Sequence, residues 1–187
     1  MIAPLPISRA ETAFRYVLPE EASALAPLLA TAPQGRTWNA ADIARLQPPQ
    51  GFVLADPARC LGVALVSLAA DEAELLDIGI APEARGRGHG RALLAACEAR
   101  AAALGARRML LEVAVDNASA RALYTAAGYA KIGHRPAYYV RETVRIDALV
   151  LAHDLTAGLT QSSAQDLGQA APSRAIVRPV ADDQTRR

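Results

Sequence analysis

Residues 74–96 read ELLDIGIAPEARGRGHGRALLAA, and this run constrains the fold more than any other part of the chain. An apolar stretch is stopped by Ala81-Pro82. A turn follows in which Gly86, Gly88 and Gly90 alternate with basic residues, and an alanine- and leucine-rich helical pattern starts at once. A strand, a bare loop and a helix in immediate succession let several backbone N–H groups converge at a helix N-terminus, where the macrodipole favours an anion. Arg85, Arg87 and Arg91 add positive charge. Taken alone, the loop is compatible with a phosphate cradle, an RNA-contacting fragment or a mobile turn. Two nucleotide folds do not fit: a P-loop needs Gly-Lys-Ser or Gly-Lys-Thr, and a dinucleotide fingerprint needs GxGxxG after the first strand of a parallel unit, whereas here the glycines fall as GxGxG.

The surrounding pattern places this unit in a mixed α/β domain. Arg15–Leu18 reads as a first strand, and Pro19, Glu20 and Glu21 open a helix to about Leu29, with acidic residues where a helix start favours them. Thr31–Thr37 is loop-like, and Asn39 is placed to cap a short helix over 40–46, ended by Pro48 and Pro49. Phe52–Ala55 and Leu61–Leu68 are apolar runs divided by the DPAR turn, which begins an antiparallel meander continued, after a turn at Asp71 and Glu72, by a strand over 74–80. Helical spacing over 89–104 ends at Gly105. Arg107–Val115 alternates, Asn117 caps a helix through Ala127 closed by Gly128, and Tyr129–Ile132 and Ile146–His153 read as the last strands. A lead over 1–12, one domain over 13–156 and a flexible tail over 157–187, poor in periodic apolar residues, is the expected organisation.

Composition narrows the partners. A net charge of +1 argues against bulk electrostatic binding to nucleic acid or an anionic membrane, so a basic function must be local. No apolar run reaches the roughly 18 residues of a membrane-spanning helix, and MIAPLPISRAE lacks the pattern of an export signal, so the expectation is a cytoplasmic protein. Cys60 and Cys97, far apart and among apolar neighbours, read as buried free thiols, and no metal-ligand spacing is present.

Three positions interrupt ordinary packing. Glu112 puts a carboxylate on an otherwise apolar strand face shared with Leu110 and Ala114, which requires water, a partner or a function. Tyr124 shares a helix face with Ala120, Leu123 and Ala127, the spacing of a packed core residue. Tyr138 and Tyr139 follow Pro136 and precede charged residues, consistent with covering a loop.

The segments AELLDIGIAPEARGRGHGRALL, LLEVAVDNASARALYTAAGY and RPAYYV together resemble the GNAT superfamily of N-acetyltransferases. Arg85-Gly86-Arg87-Gly88-His89-Gly90 is similar to that superfamily's R/Q-x-x-G-x-G/A signature. The resemblance covers about residues 13–154, most strongly from 73 onward, and is nearest the RimI-type subgroup, which acetylates the N-terminal alanine of a ribosomal small-subunit protein. It implies a mostly antiparallel sheet flanked by helices and opened between the strands at 74–80 and 107–115, with acetyl-coenzyme A as co-substrate and no metal.

The same resemblance implies roles. Ile78, Gly79 and Ile80 would hold the pantetheine arm and polarise the acetyl carbonyl through backbone N–H groups, and Arg85, Gly86, Arg87, Gly88, His89, Gly90 and Arg91 would hold the pyrophosphate, with Asn117 touching the cofactor besides capping its helix. Glu112 would be the general base, Glu74 being its rival, and Tyr124 would give a proton to the departing thiolate. His89, in a variable position of the signature, is not expected to be a base, and His134 and His153 show no partner at a recognisable spacing. Tyr138 and Tyr139 would line the peptide entrance. Val140 departs from the proline or acidic residue common there, and Trp38 corresponds loosely to a packed tryptophan ahead of the second helix. The expected acceptor is a protein N-terminus, ribosomal by analogy. The rivals are a small-molecule or antibiotic amine acetyltransferase, since the first 70 residues match weakly, and a non-catalytic acetyl-coenzyme A sensor whose basic tail, Arg174–Arg187, contacts a partner. Neither membrane nor direct nucleic-acid binding is expected.

Overall fold

The computed structural model describes residues 14–30, 38–55, 61–141 and 143–156. The chain divides into Met1–Ala157 and Gly158–Arg187, and everything described belongs to the first unit. The expected tail, Cys60, the DPAR turn and the loop over 31–37 lie outside the described residues.

Among the described residues, seven strands form one sheet. In chain order they are β1 (Arg15–Tyr16), β2 (Gly51–Ala55), β3 (Gly62–Ala69), β4 (Glu72–Ile80), β5 (Arg108–Ala114), β6 (Ala130–Arg141) and β7 (Val144–Asp154), and across the sheet they run β1-β2-β3-β4-β5-β7-β6. All neighbours are antiparallel except β4 and β5, which the crossover through helix α3 (His89–Ala103) makes parallel. Helices α1 (Ala22–Ala30), α2 (Ala40–Arg45) and α4 (Ala118–Ala126) complete the domain. This is the mixed, mostly antiparallel architecture expected from the sequence.

Strands β2 and β3 read as unbroken apolar runs because helices cover both of their faces. Phe52, Leu54, Ala64 and Val66 join Ala73, Leu75, Met109, Leu111 and Val113 against Leu93, Leu94, Cys97 and Ala101 of α3 and Tyr124 of α4. Val53, Ala55, Val63 and Leu65 face the other way, onto Leu25 and Leu29 of α1, Ile43 of α2 and Trp38. Each fully buried Leu, Val or Phe contributes about 1.5–3 kcal/mol relative to exposure. Cys97 is a buried free thiol, and burial pushes its proton affinity up.

The caps follow the sequence closely. Asn39 and Asp42 form a reciprocal capping box on α2, Asn117 Oδ1 accepts from Ala120 N–H at 3.1 Å, and Gly105 and Gly128 take φ values of +97° and +89° at helix ends. Three expectations change. Pro19–Glu21 is a separate 3₁₀ turn ahead of α1, where Glu21 takes the Leu18 N–H on Oε2. Glu72 opens β4 instead of standing in the turn. Strand β6 does not stop at Ile132: it runs through RPAYYV to Arg141, with its register broken between Lys131 and Gly133 and between Arg135 and Tyr139. Within that second irregularity Ala137 has φ +53°, and its N–H donates to Asp147 Oδ1 of β7 at 2.8 Å, so a long-range side chain supplies what the local pattern does not.

Candidate active site at the opening between two parallel strands

Strands β4 and β5 pair only from Glu72↔Arg108 to Leu75↔Leu111, although both continue beyond. The cause is visible on the far side of β4, where Val66 pairs with Leu75 and Leu65 with Asp77, leaving Leu76 as a bulge. A bulge bends its strand, so β4 follows β3 while β5 stays with β7 through Ala114↔Ala148. The two strands separate into a V. Ala81 N–H bonds back to Leu61 O at 3.0 Å; because N–H directions alternate along a strand, those of Ile80 and Ile78 turn toward the opening. The Ile78 N–H meets Asp77 Oδ1 at 2.8 Å.

Beyond β4, a 3₁₀ turn over Pro82–Ala84 leads into the glycine loop and α3. Gly86 and Gly88 have φ +72° and +82°, with open space where a Cβ would stand; conformation, not crowding, requires glycine there. Gly88 is the N-terminal cap of the fifteen-residue α3, so the first N–H groups of that helix are directed at the loop's concave side. Arg85 Nε donates to Ile80 O at 3.0 Å, tying loop to strand.

A cleft of about 360 Å³ lies here, lined by Ile78, Gly79 and Ile80, by Ala84, Arg85, Gly86, Gly88, His89, Gly90 and Arg91, and by Asn117, Ser119, Ala120 and Leu123 at the start of α4. Every residue that the sequence assigned to cofactor binding is in this lining except Arg87, and Ala84, Ser119, Ala120 and Leu123 are additions. A basic, glycine-lined helix N-terminus at one end and a strand edge at the other suit an elongated ligand with an anionic group.

Glu112, Tyr124, Tyr138 and Tyr139 are not in this lining; Glu112 stands on β5 just past its last pair with β4. Leu111 packs on the α3 side, so Glu112 projects to the opposite face. There its side chain is 13% exposed and its Oε1 lies 2.8 Å from Arg135 Nε, and its interaction with the Tyr138 hydroxyl raises the proton affinity of Tyr138. The Arg135 guanidinium also stands over the Tyr138 ring at 5.3 Å, and Tyr138 and Tyr139 meet edge to face with centroids 5.0 Å apart. Glu112 therefore has partners, and the tyrosines sit on a strand, not on a loop. Glu74, its rival, is exposed and lies in the stretch where β4 and β5 are still paired.

Tyr124 is 2% exposed within the core. Burial, with the charge of Asp77 and the nearby Tyr139, holds its proton on far above the usual tyrosine range.

Four features escaped the sequence reading: Asp77, Arg135, Asp147 and the partners of two histidines. Trp38 Nε1 donates to Asp77 Oδ2 at 3.0 Å. His134 Nε2 lies 2.9 Å from Asp147 Oδ2, and His153 Nδ1 lies 3.2 Å from Glu98 Oε1. No helix among the described residues is long and apolar enough to cross a membrane.

The profile of the acetyltransferase (GNAT) family matches residues 16–129, ending before the strand that carries Arg135, Tyr138 and Tyr139. The [ribosomal protein bS18]-alanine N-acetyltransferase of Escherichia coli (strain K12) is 33% identical over 101 residues, covering 54% of this chain and 68% of that protein. The crystal structure of the Escherichia coli ribosomal-protein-S18-alanine N-acetyltransferase superposes with a TM-score of 0.67 at 26% identity, over 76% of this chain and 92% of that one. A phosphinothricin acetyltransferase of the GNAT superfamily from Sinorhizobium meliloti, solved in complex with AcCoA, shares the fold with a TM-score of 0.64 at 21% identity, over 75% of this chain and 86% of that one.

Proposed function

The chain belongs to the acetyltransferase (GNAT) family and is an acetyl-CoA-dependent N-acetyltransferase; from that premise we propose that its acceptor is a protein N-terminal α-amine, that of an alanine at the start of a ribosomal small-subunit protein. The observation that carries this reading is the V between β4 and β5, with the glycine-lined cleft on one side and Glu112, Tyr138 and Tyr139 on the other. The similarity to the alanine N-acetyltransferase of Escherichia coli supports the choice of acceptor.

In this reading the pyrophosphate of acetyl-CoA lies against Gly86–Arg91 and α3, and the acetyl thioester reaches the strand edge at Ile78–Ile80. An α-amine has a pKa near about 8, so a modest base suffices to free its lone pair. Glu112 takes a proton from the amine, directly or through water, as nitrogen attacks the thioester carbon. Negative charge develops on the carbonyl oxygen, where the Ile80 N–H acts as a donor, that of Ile78 being held by Asp77. The carbon–sulfur bond then breaks, the amide carbonyl re-forms, and Tyr124 protonates the departing thiolate. A hydroxyl that stays protonated throughout the physiological range is suited to that donation. The Tyr138–Tyr139 pair forms the entrance for the peptide. Mass spectrometry of a peptide with a free N-terminal alanine, incubated with protein and acetyl-CoA, tests the reading: acetyl on the α-amine is expected, and acetyl on a lysine side chain alone, or on neither, contradicts it.

A further inference from the structure

Asp77 is the buried charged side chain of the described domain, 7% exposed, and the acetyl-transfer scheme gives it no chemical step. Its carboxylate accepts from two directions, from the Trp38 indole N–H at 3.0 Å and from the Ile78 amide at 2.8 Å. Those donors belong to opposite sides of the opening. Trp38 packs in the cluster formed with α1, α2, Val53 and Leu65, the face toward which Glu112 also points. Ile78 lines the cleft on the other side. Asp77 itself follows the bulge at Leu76, where β4 leaves β5. Charge at this place reaches both walls, since Asp77 raises the proton affinity of Tyr124 and of Tyr139.

A buried carboxylate is costly unless it is hydrogen-bonded, and an apolar residue after the bulge would pack at no such cost. We propose that Asp77 is a positioning residue for the acceptor: through Trp38 it fixes the wall along which the amine-bearing chain lies, and through Ile78 it registers that wall against the thioester-binding strand. This inference rests on the acetyl-transfer reading. The pyrophosphate loop over 85–91 lies outside the Asp77 hydrogen bonds, and Asp77→Asn keeps an acceptor for the Ile78 N–H, so in that variant donor binding is expected to change little.

The chain contains one tryptophan, and Trp38 emission therefore reads the hydrogen bond without reference to turnover. The test compares wild type, Asp77→Asn, Trp38→Phe and the double variant. Acetyl-CoA affinity is measured by calorimetry, acceptor KM and kcat are measured with whichever amine the wild type acetylates, and Trp38 emission is recorded with and without that amine. Asn at 77 keeps an oxygen for Ile78 but presents a donor or loses charge toward the indole, so it is the informative conservative change. Expected are a shift in Trp38 emission, acceptor KM raised about tenfold, acetyl-CoA affinity within about twofold, and a double variant no worse than the more impaired single one. A role confined to stability would lower the melting temperature and leave the acceptor KM of the folded fraction unchanged, which would overturn the proposal. So would additive effects of the two substitutions, or an equal loss of donor affinity. If the wild type acetylates neither peptides nor small amines, it is the acceptor reading that fails; the emission arm still decides this inference, unchanged emission in Asp77→Asn contradicting it.

Discussion

Arg135 Nε lies 2.8 Å from Glu112 Oε1, a pair in which the guanidinium side chain is 56% exposed and the carboxylate side chain 13%. The cation is on the solvent side and the anion is the buried partner. In such a pair the guanidinium can swing into water at small cost, while the carboxylate stays in place to meet a second cation or an amine.

Replacing Glu112 with Gln keeps the shape and an oxygen for Arg135 while removing the base. Turnover is expected to fall about 10²-fold or more, with acetyl-CoA affinity little changed. Steady-state kinetics alongside calorimetric donor binding checks this. Normal turnover in Glu112→Gln would move the base to Glu74 or to water.

Tyr124→Phe removes a hydroxyl without opening a large cavity. A fall in kcat of about 10²-fold is expected, on the usual scale of a general acid. Because burial holds the Tyr124 proton on well above the normal range, the alkaline limb of the wild-type rate profile below about pH 10 should not come from this group. A kcat within about twofold of wild type would leave the thiolate to be protonated by water.

Gly88 and Gly90 separate backbone strain from space. Gly88→Ala places a side chain at φ +82° and should cost about 1–2 kcal/mol of stability and weaken donor binding. At Gly90 an added Cβ meets Leu123 and Ile80 at 3.6 and 3.7 Å, ordinary contacts within a helix, so Gly90→Ala should fold at least as stably as wild type. Denaturant midpoints of the two variants give the comparison.

The clamp on the tyrosine strand is expected to be pH-dependent. The Ala137 N–H bond, followed by the neighbouring His134, holds the Asp147 carboxyl below its ordinary range. A depressed carboxyl contributes stability that is fully present above the ordinary Asp range and is lost as pH falls through and below it. Asp147→Asn cannot lose a charge, so the gap between wild-type and variant melting temperatures should hold above about pH 5 and narrow as pH falls below about 4. A gap that stays constant as pH falls below about 4 would remove Asp147 from the account.

Legibility in the sequence followed the range of the interactions. Elements bounded by local chemistry were readable: the glycine loop, the Asn117 cap, the Gly105 and Gly128 helix ends and the alternation that exposed Glu112. The cofactor cleft was legible because its lining comes from two contiguous segments. The path of RPAYYV was not, since Pro136 and the positive φ of Ala137 break every strand rule and are held by Asp147 on the next strand. Arg135 and Trp38 likewise find their carboxylates through sheet pairing and a bulge that no local pattern announces. Asp77 could have been found: it interrupts the apolar run LLDIGI as Glu112 interrupts its own strand, and the cost of burying an unpaired carboxylate applies equally to both.

The most direct measurement is thiol release from acetyl-CoA with two acceptor sets in parallel, peptides bearing a free N-terminal alanine and a panel of amine metabolites. The account predicts release with the peptides, and its loss when their α-amine is blocked. Release with metabolites but not with peptides would contradict it.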